Sequence, residues 1–207
     1  GKYFYTKGSL YAGQTYTNIP DSDGRRIQIA WGRISHPGMP FNGMMLLPTE
    51  LTLHTTKEGI RLFSNPIKET KQLFTPLKKW ASLTSDKAND HLKEFRNAGT
   101  LRIKTTFKLS HATSAGIDLF GQRILDYDMN ANTINSVFYS PEDRNSMELT
   151  ADIYIDKTSI EVFIDGGIYS YSMERKAAKN NQDGICFWGN NIDIKNLEIF
   201  SVKSIWN

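Results

Sequence analysis

Residues 147 to 173 limit the possible folds more than any other stretch, because they read as three successive strands with almost no chain between them. The runs are Met147 to Asp156, Ser159 to Asp165 and Ile168 to Met173. In the middle run Ile160, Val162 and Ile164 share one side while Glu161 and Phe163 share the other, a period of two that predicts a half-buried strand. Gly166-Gly167 can reach positive φ without steric cost, so Asp165-Gly166-Gly167 signals a hairpin; Lys157-Thr158 is a poorer two-residue turn. Such a meander must cover its apolar side with a second layer. Further strand-like runs lie at Leu101 to Phe107, Gly116 to Phe120, Arg123 to Tyr127, Asn135 to Tyr139, Ile185 to Trp188 and Leu197 to Ile205. Eight or nine strands separated by turn signals predict an all-β fold, a β-sandwich of two antiparallel sheets over residues 81–207.

Residues 1–64 follow the same rhythm in a smaller unit. Ser9 to Tyr16, the turn Asp21-Ser22-Asp23-Gly24, and Arg26 to Trp31 form a hairpin in which Ile27, Ile29 and Trp31 alternate with Gln28 and Ala30. Met44 to Leu47, Thr49 to His54 and Gly59 to Phe63 complete the set, the content of about one four-stranded β-propeller blade, a unit that cannot bury itself alone. Residues 65–80, rich in lysine and holding Pro66 and Pro76, read as a linker. Ser85 is placed to cap a short helix with Ala88, His91 or Leu92, and Phe95 at helical spacing and Gly99 as its stop.

Composition excludes several classes of function. With 207 residues, 39% of them hydrophobic, the chain can bury roughly 70% of its unfolded surface, enough for one good core or two small ones. No apolar run approaches the roughly 20 residues of a membrane span. The net charge of +3 is scattered rather than gathered into a stripe, so nucleic acid is not an expected partner. Cys186, the one cysteine, lies in an apolar segment and is expected to be a buried small hydrophobe; no internal disulfide can form. The chain opens on Gly1 without an initiator methionine, and Lys2-Tyr3-Phe4-Tyr5 looks like the inside of a strand, which reads as a processed fragment.

Three motifs carry a family resemblance: Leu10-Tyr11-Ala12-Gly13-Gln14-Thr15-Tyr16, Gly24-Arg25-Arg26-Ile27-Gln28-Ile29-Ala30-Trp31, and Leu47-Pro48-Thr49-Glu50-Leu51-Thr52-Leu53. In order and spacing they resemble the last blade of the five-bladed catalytic propeller of glycoside hydrolase family 32, which contains invertases, inulinases and levanases. Asp156 to Gly167 resembles the most recognisable segment of that family's C-terminal β-sandwich. Thr49 stands where the family usually has Arg, Phe41 where Trp is common, and Ala30-Trp31-Gly32 where Gly-Trp-Met is frequent; the missing Arg weakens a standard fructoside pocket. The resemblance implies a secreted or periplasmic fructan-acting hydrolase working with retention and without cofactor or metal. The family's nucleophilic Asp, transition-state Asp and acid/base Glu lie in motifs that do not occur here. Retaining hydrolysis needs two carboxyl groups about 5 to 5.5 Å apart, so the chain alone is expected to be inactive. Its expected partners are the upstream propeller and, through the parent enzyme, a fructan.

Among individual residues, Tyr11, Gln14 and Trp31 match family positions near the mouth of the sugar pocket. Aromatic faces stack on sugar rings and an amide fixes a hydroxyl, so these three are the candidate substrate-lining residues, against packing within the blade. Asp126 and Asp128 share a strand face but read as a solvated strand end, and Asp21 to Gly24 reads as a tight turn rather than a calcium loop. Glu161 is expected to be a structural hydrogen-bond acceptor or edge residue. His36, His54, His91 and His111 fit no metal spacing. Tyr169, Tyr171 and Trp188 are expected to pack at the sheet interface; exposed together, they would instead mark a non-catalytic carbohydrate-binding module. An assembly module pairing its unsatisfied blade edges with a second copy is a third reading.

Overall fold

The computed structural model describes residues 4–109, 113–139, 147–177, 184–189 and 191–204. Strands β1 (Thr6–Gly8), β2 (Leu10–Thr15), β3 (Arg26–Gly32), β4 (Met44–Met45), β5 (Thr49–Thr56) and β6 (Gly59–Pro66) come first. A 3-10 turn over Lys68–Leu73 leads into β7 (Phe74–Thr84) and helix α1 (Ser85–Leu92). There follow β8 (Leu101–Leu109), β9 (Ser114–Leu119), β10 (Gln122–Asp128), β11 (Thr133–Ile134) and β12 (Val137–Phe138). The meander is β13 (Glu148–Ile155), β14 (Ser159–Ile164) and β15 (Tyr169–Glu174), and the chain closes with β16 (Ile185–Trp188) and β17 (Ile192–Val202).

Two sheets make the predicted sandwich, one with order β1-β15-β14-β13-β8-β17-β7 and the other β12-β11-β10-β9-β16. Alternation along each strand decides what lies between them. Ile103, Phe107, Ile153, Ile160 and Val162 from the first sheet meet Ile117, Ile124, Leu125 and Phe187 from the second in one continuous core. Each such side chain stabilises the fold by roughly 1.5 to 3 kcal/mol through burial. Helix α1 covers one side, burying Ala88 and Leu92, with Phe95 following in a 3-10 turn. Its cap is Thr84 rather than Ser85: the threonine hydroxyl accepts the Lys87 N–H at 3.4 Å.

A third sheet, β2-β3-β5-β6 with β4 paired to β3, corresponds to the predicted N-terminal unit. Its own core is small, with Ala30, Ile34 and Leu46 buried and Leu10 and Met44 beside them. The sheet lies on the outer face of β14 and β15, and β1 adds itself in parallel to β15.

Several expectations change. The stretch 65–80, read as a linker, contains the end of β6, the 3-10 turn and most of an edge strand paired along β17. Its lysines obscured the strand because an edge tolerates charge and Pro76, which an interior strand does not. Strand β14 is buried at all six positions, not on one side, because the third sheet seals its outer face. The Gly166-Gly167 hairpin is a four-residue connection from Ile164 to Tyr169, with Gly166 and Gly167 at φ of 68° and 90°. Cys186 is half-buried, since Ile185 and Phe187 take the inward positions of β16. In β3 the predicted apolar side is only partly covered, Ile27 being buried, Ile29 half-buried and Trp31 exposed, while Gln28 and Ala30 face the sandwich.

Candidate functional site

Tyr11 and Trp31 are direct partners across β2 and β3, and Trp31 in turn pairs with Met45 of β4. The three form a row across neighbouring strands at 54%, 40% and 55% exposure. The Tyr11 and Trp31 rings meet edge to face with centroids 6.0 Å apart, and the Arg33 guanidinium lies 4.9 Å from the Tyr11 ring centre. Gly43 holds the indole in place: at φ 77° its backbone runs against Trp31, and any added Cβ would overlap the ring nitrogen.

Gln14 joins this face through a β-bulge. Tyr11 lies opposite Trp31 and Gln14 opposite Ile29, so three steps along β2 match two along β3, with Ala12 at φ 47° absorbing the extra residue. Without the bulge, residues 11 and 14 would point to opposite sides. Tyr11, Gln14 and Trp31 are thus brought to one side of the sheet, turned away from the sandwich. The paired aromatics and amide offer what a sugar ring needs, two apolar faces and a hydrogen-bonding group.

The other singled-out residues have structural partners. Asp23 takes Arg25 Nε at 2.6 Å and Nη2 at 2.8 Å, which lowers its carboxyl to about 2, and Arg25 reaches on to Glu69 at 2.9 and 3.0 Å. The turn at 21–24 is therefore closed by an ion-pair relay. Asp128 accepts the Ala131 N–H at 2.9 Å, and Asp126 lies 4.0 Å from Arg123. Tyr169 and Tyr171 are buried, the Tyr171 hydroxyl donating to the Ile124 carbonyl; Trp188 is half-buried beneath Arg123 at 3.7 Å. His91 stacks on Trp80 at 4.6 Å, His54 packs tilted against Phe63 at 4.4 Å, and His36 meets Thr158 at 3.2 Å; His111 lies outside the described residues. Among the described residues no group of three His, Cys, Asp or Glu side chains could hold a metal.

Sequence reasoning understated Glu161. It is enclosed between β14 and the third sheet, with both carboxylate oxygens on the Leu47 N–H at 3.2 Å. It is a hydrogen-bond acceptor, as expected, but in a central strand rather than at an edge. Burial raises its carboxyl to about 7. Thr49 lines the same enclosure. The available signal was a glutamate within Ser159-Ile160-Glu161-Val162-Phe163-Ile164, where its neighbour on the same side, Phe163, is large and apolar.

No family model matches the chain. It is 24% identical over 232 aligned positions to a levanase of Bacillus subtilis, covering 95% of this chain and 33% of the levanase. It is 31% identical over 170 positions to a sucrose-6-phosphate hydrolase of Vibrio alginolyticus, covering 76% of this chain and 33% of that protein. The exo-inulinase of Aspergillus awamori has the same fold with a TM-score of 0.69 at 15% identity, over 98% of this chain and 45% of the inulinase. The chain thus spans about a quarter to a third of the length of the curated relatives it matches. Its motifs, its similarity to levanases along nearly the whole chain and its fold together support a C-terminal region of glycoside hydrolase family 32.

Proposed function

We propose that this chain is the scaffolding and substrate-flanking part of a fructan-acting glycoside hydrolase that cleaves fructosyl bonds with retention outside the cell or in the periplasm. The observation that carries this is the open row of Tyr11, Trp31 and Met45, with Gln14 brought alongside by the bulge, on the side of the N-terminal sheet turned away from the sandwich. In this reading the sheet is the last blade of the catalytic propeller, the sandwich holds it in place, and the row faces the sugar. Small displacements of reacting groups are costly, so a rigid backing contributes to rate without touching substrate.

Several of the described carboxylates are held in ion pairs, which suits scaffolding. Asp23 and Glu69 are paired with Arg25, Asp118 with Arg123, Asp152 with Arg102 and Glu198 with Lys79. Residues 1–207, incubated with levan, inulin and sucrose, should release no fructose. In the full-length enzyme Trp31→Ala should raise KM about tenfold or more with a smaller change in kcat, as for a residue that binds substrate and transition state alike. Fructose release by the isolated chain above trace contamination would overturn the scaffolding role, and an unchanged KM in Trp31→Ala would overturn the substrate-facing one.

A further inference from the structure

Between the N-terminal sheet and the sandwich lies a narrow cleft with about 20 Å³ of room. Gln28, Thr49 and Ser64 bound it from one side and Glu161, Ser170 and Ser172 from the other. It has room for one particle the size of a water molecule. Glu161 and Ser172 are direct partners across β14 and β15, so their side chains leave the sheet together, about 5 Å apart.

Three oxygen groups here have unmet demand. The two Glu161 carboxylate oxygens share a single donor, the Leu47 N–H. Gln28 Oε1 and Ser172 Oγ are buried without a hydrogen-bond partner, in residues 8% and 4% exposed. The other end of the Gln28 amide is taken, Nε2 donating to the Tyr5 hydroxyl at 3.2 Å. The surroundings offer the carboxylate no positive charge. Facing it are the Leu47 backbone, Gln28 of β3, Thr49 of β5, Ser64 of β6, Thr6 of β1 and Ser172 of β15. Its partner on β13 is Tyr154, whose hydroxyl is given to Asp152, and the charge that acts on it is another carboxylate, Asp156. Among the described residues no lysine, arginine or histidine lines the space.

An enclosed carboxylate without a counter-charge costs several kcal/mol. Carboxylate, amide and hydroxyl oxygens are the ligands that hard cations prefer, and one carboxylate among neutral oxygens matches a single positive charge. We propose that the seam is a binding site for one monovalent cation of the sodium class, held by the Glu161 carboxylate, Gln28 Oε1 and Ser172 Oγ, clamping the N-terminal sheet to the sandwich. This stands independently of any activity on sugars.

The test is urea unfolding of residues 1–207 at pH 8, with choline chloride replaced stepwise by sodium chloride at constant ionic strength. The unfolding midpoint should rise saturably with sodium, Glu161→Gln should abolish the rise, and Ser172→Ala should weaken the apparent sodium affinity about tenfold or more. Sodium-23 line broadening reads the same site in folded protein and should disappear in Glu161→Gln. Equal midpoints in the two salts would leave the space to water and overturn the proposal, as would a sodium response that survives in Glu161→Gln.

Discussion

Glu161 and Gly43 show how one side chain can matter beyond its size. The Glu161 carboxyl is raised from 4.5 to about 7, chiefly by burial, with the Leu47 N–H opposing that shift. Because the folded state holds this proton more tightly than the unfolded chain, its contribution to stability is complete below about pH 4.5 and is lost as the pH rises through 7. In choline chloride, unfolding free energy should therefore fall across this window by about 3 kcal/mol on account of this group. Glu161→Gln should flatten that segment of the profile, and an unchanged slope would mean that the carboxyl titrates normally. At Gly43, Ala would introduce both a strained φ and an overlap with the Trp31 indole, costing about 1 to 3 kcal/mol. Near-ultraviolet dichroism should show the tryptophan environment changed.

Strands expose a different balance, seen best on the outer face of the seven-stranded sheet. Arg102 of β8 is buried there, bonded to Asp152 of β13 at 2.9 and 2.7 Å and ringed by Phe74, Tyr154 and Phe200 at 4.8 to 5.2 Å. Removing the carboxylate leaves an enclosed guanidinium unanswered, so Asp152→Ala should cost about 3 kcal/mol in urea unfolding. Arg102→Met keeps the aromatic cage filled and should cost less; the reverse order would show that the cage, not the charge pair, holds this face. Phe74 comes from the stretch the sequence presents as a linker. Its neighbours Lys78 and Lys79 hide the strand because they serve an open edge. Helix α1 was legible for the opposite reason: Ala88, Leu92 and Phe95 repeat at the helical period and meet one surface. Its cap misses by one residue, Thr84 and Ser85 offering equivalent hydroxyls.

Across the whole molecule the N-terminal sheet depends on the sandwich. Its buried cluster of Ala30, Ile34 and Leu46 is too small to offset the ordering of some sixty residues. What holds it is a polar seam: Ser170 N–H to the Tyr5 carbonyl at 2.9 Å, Ser9 N–H to the Ser172 carbonyl at 2.9 Å, Leu47 to Glu161, and Asn65 to the Gly166 carbonyl. At that last contact Gly167 comes so close to the Ser64 carbonyl that no side chain fits. Residues 1–66 made alone should give a random-coil circular dichroism spectrum. In the intact chain, amides of β2 and β3 should exchange at lower free energy than those of β8 and β13. Equal protection would show one cooperative unit. What the sequence determined by itself is local: the period of two that sets most of the strands, the glycines at tight turns, the apolar side of the central meander, and the motifs shared with glycoside hydrolases. Only the tertiary structure decided which second faces are covered. Glu161 is enclosed by Leu47, 114 positions away, and Trp31 is left open because Gln28 and Ala30, on the opposite side of β3, are the ones that face the sandwich. Alternation records that a strand has two sides, but coverage depends on a sheet brought in from elsewhere in the chain, and that contact leaves no trace in the local period.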